Sequence, residues 1–146
     1  MVDFLETTFE KFIFRVKMDL LYSSEDFWAD LRDHMSTIGL TDFLQKSKGD
    51  VAFVETVKSG TPVHRDQEIG MIETIKSTFA IISPVTGKVV EVNADLETSP
   101  YLINNDPYGA GWIYKIEVTD PENDKVKLLH AESYMEVMKE KIAKGA

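Results

Sequence analysis

One lysine is the residue in this chain best placed to do chemistry. Lys76 stands between two β-type runs, EIGMIET before it and FAIIS after it, within the stretch ETIKSTFAIISPVTGKVV. Glu73 precedes it by three residues, Ser77 follows directly, and Pro84 and Gly87 come at turn-forming positions further on. An amine on a hairpin tip is either a solvated charge or an attachment point for a group joined through an amide. Other constellations lead nowhere. His34, His64 and His130 fall in unrelated segments with no i,i+4 partner, a spacing that suits surface histidines better than metal ligands. Ser23 and Ser24 have no histidine near them, and the acid pairs Glu25-Asp26 and Asp120/Glu122 sit in turn-like stretches where solvated carboxylates are ordinary. The GAG at 109–111 precedes a strand rather than a helix, so it makes no phosphate cradle. No catalytic centre is expected in the chain itself.

The composition narrows the partners. A chain of 146 residues with 43% apolar content suits one domain with a real core. Sixteen basic against twenty-five acidic residues leave a formal charge of −9. Phosphate backbones and anionic lipid repel such a surface, so neither nucleic acid nor membrane is an expected partner, and basic protein surfaces are. There is no cysteine, hence no disulfide and no thiolate chemistry except from a bound cofactor. The opening MVDFLETTFEKF carries acids and lacks an unbroken apolar run, and no stretch approaches a membrane span. The expected location is cytoplasmic.

The elements around Lys76 read mainly as strands. Asp3 followed by Glu6 suggests a capped helix start, and Leu5, Phe9, Phe12, Ile13 and Val16 keep helical spacing. Phe12, Phe14, Val16, Met18 and Leu20 also alternate with charged residues, as in a half-buried strand. The expectation is a short helix near 4–10 giving way to a strand. YSSEDFW at 22–28 reads as a turn into a strand, with a second strand near Ser36–Gly39 and a helix capped by Thr41 through Lys46. Val51, Phe53 and Val57 alternate before Gly60, and KVVEVNADL after Gly87 has the same style. Two similar strand–Gly–strand passages flanking Lys76 hint at an internal two-fold layout. Ser99-Pro100 suggests a brief helix through Leu102, NNDPYGAG a loop, WIYKIEV a strand, and Pro121 to Asp124 a break. Ser133 opens a final helix with Tyr134, Val137, Met138 and Ile142 as its apolar stripe.

Several segments together resemble the glycine-cleavage H-protein family. GMIETIKS with IISPVTGKVVEVN is similar to its lipoyl-lysine hairpin. LTDFLQ at 40–45, GDVAFVE at 49–55 and SPYLINNDPYGAGWIYKI at 99–116 resemble further family segments in order and spacing. Leu128-Leu129, Ala131-Glu132 and Tyr134 resemble its C-terminal helix, so the likeness covers roughly residues 22–140. The resemblance implies a lipoyl-domain-like flattened β-barrel or sandwich with short edge helices and a C-terminal helix. It implies a division into an N-terminal extension, 1–21, and an H-protein-like lipoyl domain, 22–146. It further implies a non-catalytic carrier with lipoate in amide linkage to Lys76. Glu73 and Ser77 would then belong to the hairpin read by a lipoate ligase or lipoyl transferase. A biotin carrier would show Met-Lys-Met here, whereas Lys76 stands between Ile75 and Ser77.

The chain departs from the family at three positions. Family members have His-Glu before the tryptophan of the YSSEDFW segment and an acid four residues after the lipoyl lysine. Here those places hold Asp26, Phe27 and Ala80. An aminomethyl cargo carries an ammonium, which is costly to enclose without a partner acid. Glu25 or Asp26 would have to compensate. The expectation is therefore an arm or cargo pocket formed by Glu25, Asp26, Phe27 and Ala80, plainly apolar near Phe27. It would suit a sulfur intermediate passed to a heterodisulfide-reductase-like complex in sulfur oxidation. The alternatives are an H-protein of glycine cleavage, working with glycine decarboxylase, aminomethyltransferase and dihydrolipoamide dehydrogenase, and an unmodified β-domain scaffold.

Overall fold

Alternation, not helical periodicity, governs the start of the chain. In the computed structural model, which describes residues 3–145, Phe4–Phe9 (β1) and Phe12–Lys17 (β2) form an antiparallel hairpin with Phe9 opposite Phe12. The helix expected near 4–10 is thus replaced by a strand. Thr7 and Thr8 favour a pleated chain, and Glu10, at φ +55, turns it back. Phe14 and Val16 point into the protein while Arg15 faces outward, the half-buried pattern that the alternation describes.

The next elements are Leu21–Tyr22 (β3), Phe27–Arg32 (β4) and Met35–Leu40 (β5). Thr41 then caps Asp42–Lys48 (α1), its Oγ1 accepting the Leu44 N–H at 3.2 Å. Val51–Thr56 (β6), Pro62–Val63 (β7), Glu68–Thr74 (β8), Thr78–Ile82 (β9) and Gly87–Val92 (β10) follow. Asp95–Thr98 (α2) and Leu102–Asn105 (α3) lead to Tyr114–Val118 (β11), Pro121–Lys127 (α4) and Ala131–Ala143 (α5).

Three sequence expectations shift here. The helix near Pro100 begins at Leu102 rather than ending there, because Ser99 closes α2 first. The stretch after Asp120 is a helix, with Pro121 in its first turn and the Asp120 carboxylate accepting the Asn123 N–H. The last helix starts at Ala131 instead of Ser133 and buries Met135 beside Tyr134 and Met138, leaving Val137 only half-buried.

Two further sheets join the hairpin. One runs β3-β4-β5-β11-β10-β7 and the other β6-β8-β9. The two similar passages around Lys76 therefore part company: β6 pairs with β8, whereas β10 pairs with β11 and β7. Both sheets feed one core containing Ile38, Leu40, Ile72, Ile81, Val89 and Ile116, each fully buried. Burying such a side chain contributes about 1.5–3 kcal/mol. The Tyr114 hydroxyl links the sheets, donating to Ile69 O and accepting the Val57 N–H. A second core gathers Phe14, Val16, Tyr22, Trp28 and Phe43 with Tyr134 and Met138 of α5. The N-terminal hairpin and the C-terminal helix thus pack into one cluster beside the main sheets. No helix among the described residues is long and apolar enough to cross a membrane.

Candidate functional site

The β8–β9 hairpin positions Lys76. Glu73 pairs with Thr78, leaving a tip of Ile75, Lys76 and Ser77 just beyond Thr74. Thr74 is only 7% exposed, and its hydroxyl organises the turn. Its Oγ1 accepts the N–H groups of Lys76 at 3.2 Å and Ser77 at 3.0 Å, and lies 2.8 Å from Lys48 O, to which the hydroxyl can donate. The Thr74 N–H donates to Ser77 O, and the Ile75 N–H reaches Asp50 O just before β6. The backbone of the tip is therefore pinned to two neighbouring elements. Side chains point the other way: Lys76 and Ile75 are exposed, the latter at 75%.

Two features of the tip fit an amide-linked group on Lys76. The Lys76 stem lies along Gly49, whose missing Cβ would stand 3.4 Å from Lys76 Cδ, so a long arm leaves without obstruction. The Ser77 Oγ is buried without a hydrogen-bond partner among the described residues, an unsatisfied hydroxyl adjoining Lys76. Glu73 is exposed on the same strand, open to a modifying enzyme.

The expected cargo pocket does not assemble. Phe27 is 1% exposed and belongs to the main core, so it offers no surface to an arm. Asp26, at φ +75, turns inward, and its carboxylate accepts from Tyr134 Oη at 2.8 Å and Lys141 Nζ at 2.7 Å. That acid holds α5 in place. Glu25 is exposed on the turn before β4, and Ala80 is half-buried in β9 opposite Met71, in a different sheet from Phe27. None of these four lines the cleft beside Lys76.

That cleft, about 160 Å³, is walled instead by Phe9, Phe12, Phe14, Phe43 and Ile142 together with Lys76. Sequence reasoning missed it, although the run of phenylalanines in the N-terminal segment was the signal. Read as a helix and a strand, those residues do not converge. Read as a hairpin, they do. No group of three or more potential metal ligands forms among the described residues, and His34, His64 and His130 are all exposed.

A β-scaffold offering an exposed lysine on a pinned hairpin has the form a carrier domain requires. The family profile for the glycine cleavage H-protein matches residues 20–141. A probable glycine cleavage system H protein of Aeropyrum pernix is 41% identical over 128 residues, covering 88% of this chain and 89% of that protein. The glycine cleavage system H protein of Carboxydothermus hydrogenoformans is 40% identical over 125 residues, covering 86% and 95%. The crystal structure of a glycine cleavage system H protein from Mycobacterium marinum superposes with a TM-score of 0.71 at 30% identity, over 80% of this chain and 94% of that one. The chain belongs to the glycine cleavage H-protein family. Proteins of this family are non-catalytic carriers with lipoate attached covalently to a lysine, and this chain is such a carrier. None of these relatives is named for sulfur oxidation.

Proposed function

We propose that Lys76 is the lipoyl attachment residue and that the chain serves glycine cleavage. The observation that carries the reading is the hairpin itself: Lys76 is exposed at a tip whose amides are tied to the buried Thr74 hydroxyl. A lipoate ligase or lipoyl transferase reads Glu73 and the tip, and amide formation removes the lysine's charge. Lipoate supplies the dithiol that a cysteine-free chain lacks and accepts the aminomethyl fragment released from glycine. The names of the relatives support glycine decarboxylase, aminomethyltransferase and dihydrolipoamide dehydrogenase as the partners. The chain's own residues orient the arm and keep the scaffold rigid.

One observation favours a second reading, a sulfur cargo passed to a heterodisulfide-reductase-like complex. Phe27 and Ala80 put no carboxylate where the family resemblance expects two, and Asp26 is occupied by Tyr134 and Lys141. An ammonium beside positions 27 and 80 finds neither of the two carboxylates expected there.

Intact-mass measurement after co-expression with a lipoate ligase tests the attachment. Wild type gains the mass of a lipoyl group and Lys76→Arg does not; an adduct that survives the substitution refutes the site. Loading of the lipoylated protein from glycine by a competent decarboxylase then separates the cargoes. Failure to load, beside a reference H-protein that loads, rejects glycine cleavage in favour of the second reading.

A further inference from the structure

The three-stranded sheet ends on β6, which pairs with β8 and has no strand on its other side. Among the described residues, 52–56 make no backbone bond to any element except β8. Two contacts show which way the strand faces. The Tyr114 hydroxyl accepts the Val57 N–H and donates to Ile69 O of β8. A Cβ on Gly70, also in β8, would stand 2.5 Å from Glu55 O. Glu55 and Val57 therefore turn their backbone groups toward β8. Such groups alternate sides along a strand, so Val54 and Thr56 present their N–H and C=O away from it.

That free edge is one wall of a groove of about 830 Å³. Val92, Asn93, Leu96 and Glu97, from the end of β10 into α2, form the other. The groove opens where the chain beside β10 runs out: β7 and the turn before it bond to β10 only from Gly87 to Val90. Val54, Val57 and Val92 are half-buried in the groove, while Glu55, Lys58 and Glu97 are exposed at its rim. An unpaired strand edge beside an apolar floor is a template for one more strand.

We infer that the groove takes an extended segment of a basic partner protein, added antiparallel to β6 as a fourth strand. The segment alternates: apolar side chains lie against Val54 and Val92, and lysine or arginine on the other face stands beside Glu55. A second copy of this chain suits the edge poorly. Each copy carries a formal charge of −9, and pairing β6 with β6 puts both Glu55 carboxylates on one face. β6 starts at Val51, opposite Thr74, so one end of the added strand lies beside the lysine hairpin. The pairing thus sets the partner's position relative to Lys76, and it holds whether or not that lysine carries lipoate.

The probe is the peptide acetyl-Lys-Val-Lys-Val-Lys-Val-amide, titrated into the full-length protein labelled with nitrogen-15. Amide signals of 52–57 are expected to shift, while those of β2 and α5 stay in place. In the paired strand the valine nitrogens face β6, because Val54, on the same face, turns its own toward the groove. N-methylation of the valines removes those donors and keeps the charge, and it should weaken binding about tenfold or more. N-methylation of the lysines, whose nitrogens face away, should leave affinity within about twofold. Glu55→Lys, at an exposed position, should weaken the parent peptide several-fold. Equal affinity of the two methylated peptides, or shifts confined to other surfaces, overturns the added strand. Shifts of 52–57 on concentrating the protein without peptide would give the edge to a second copy and overturn the basic partner.

Discussion

The amide of Lys76 donates to the hydroxyl of Thr74 at 3.2 Å, so a buried side chain fixes the residue exposed two positions later. Replacing Thr74 with Val keeps the shape but strands the N–H groups of Lys76 and Ser77. Each partly buried amide left without its acceptor costs about 1–3 kcal/mol. Urea unfolding should register a loss of that order, and the ligase should modify Lys76 several-fold more slowly. Unchanged lipoylation kinetics would show that the hairpin needs no such anchor.

Gly49 has a different task from Thr74. Its φ of +88 and ψ of −168 lie in a region that residues with a Cβ rarely occupy. Gly49→Ala is expected to lower stability by about 1–3 kcal/mol through backbone strain. The added methyl stands at 3.4 Å from Lys76 Cδ, near ordinary contact, so intact mass should still show a lipoylated lysine. Loss of modification at full stability would contradict this division of effects.

Asp26 and Lys141 join the turn before β4 to the C-terminal helix at 2.7 Å. Lys141→Met leaves a carboxylate that is nearly enclosed, with Tyr134 still donating to it. The expected loss is about 1–3 kcal/mol, below that for a fully buried pair because the Lys141 side chain keeps 30% of its exposure. Asp26→Asn in the same background should recover part of it, since the buried charge disappears and asparagine tolerates a positive φ. A double-mutant cycle with no coupling between the two positions would rule out the anchoring role.

Alkaline pH should weaken the fold through its buried tyrosines. Burial pushes the Tyr114 phenol up to about 12, against a smaller downward pull from the Val57 N–H. Burial raises the Tyr22, Tyr108 and Tyr134 phenols as well, with the nearby Asp26 charge adding to the effect at Tyr134. The folded protein therefore holds these protons more tightly than the unfolded chain, whose phenols titrate near 10.0. The stabilisation is intact below that pH and is lost as pH rises through the folded value. Thermal midpoints should fall between about pH 10 and 12 while phenolate absorbance rises with unfolding. Phenolate appearing near pH 10 with no fall in midpoint would contradict the burial.

Much of the lysine hairpin was legible because its signals are local. EIGMIET and FAIIS are apolar, β-type runs on either side of Lys76, and Thr41 caps α1 with its own hydroxyl. Residues 4–17 resisted because Leu5, Phe9, Phe12 and Ile13 satisfy helical spacing as well as they satisfy a hairpin. Only the return of the chain at Glu10 decides between them. The pocket around Phe27 was misjudged for a related reason. A phenylalanine replacing an acid looks like an apolar pocket wall, but position 27 begins β4 and turns into the core opposite Leu40. Asp26 likewise looked available until Lys141, more than a hundred residues later, claimed it.

The second core has a dynamic consequence. The N-terminal hairpin and α5 share the cluster of Phe14, Tyr22, Phe43 and Tyr134, and a two-bond bridge between Tyr22 and Leu129 fastens the start of this unit to its end. Such a cluster can open as one cooperative piece while the main sheets stay closed. Amide protons of β1, β2 and α5 should then exchange with deuterium as a group, ahead of those in β5, β8 and β11. Breathing of the two chain ends would set how long the floor beneath Lys76 stays whole.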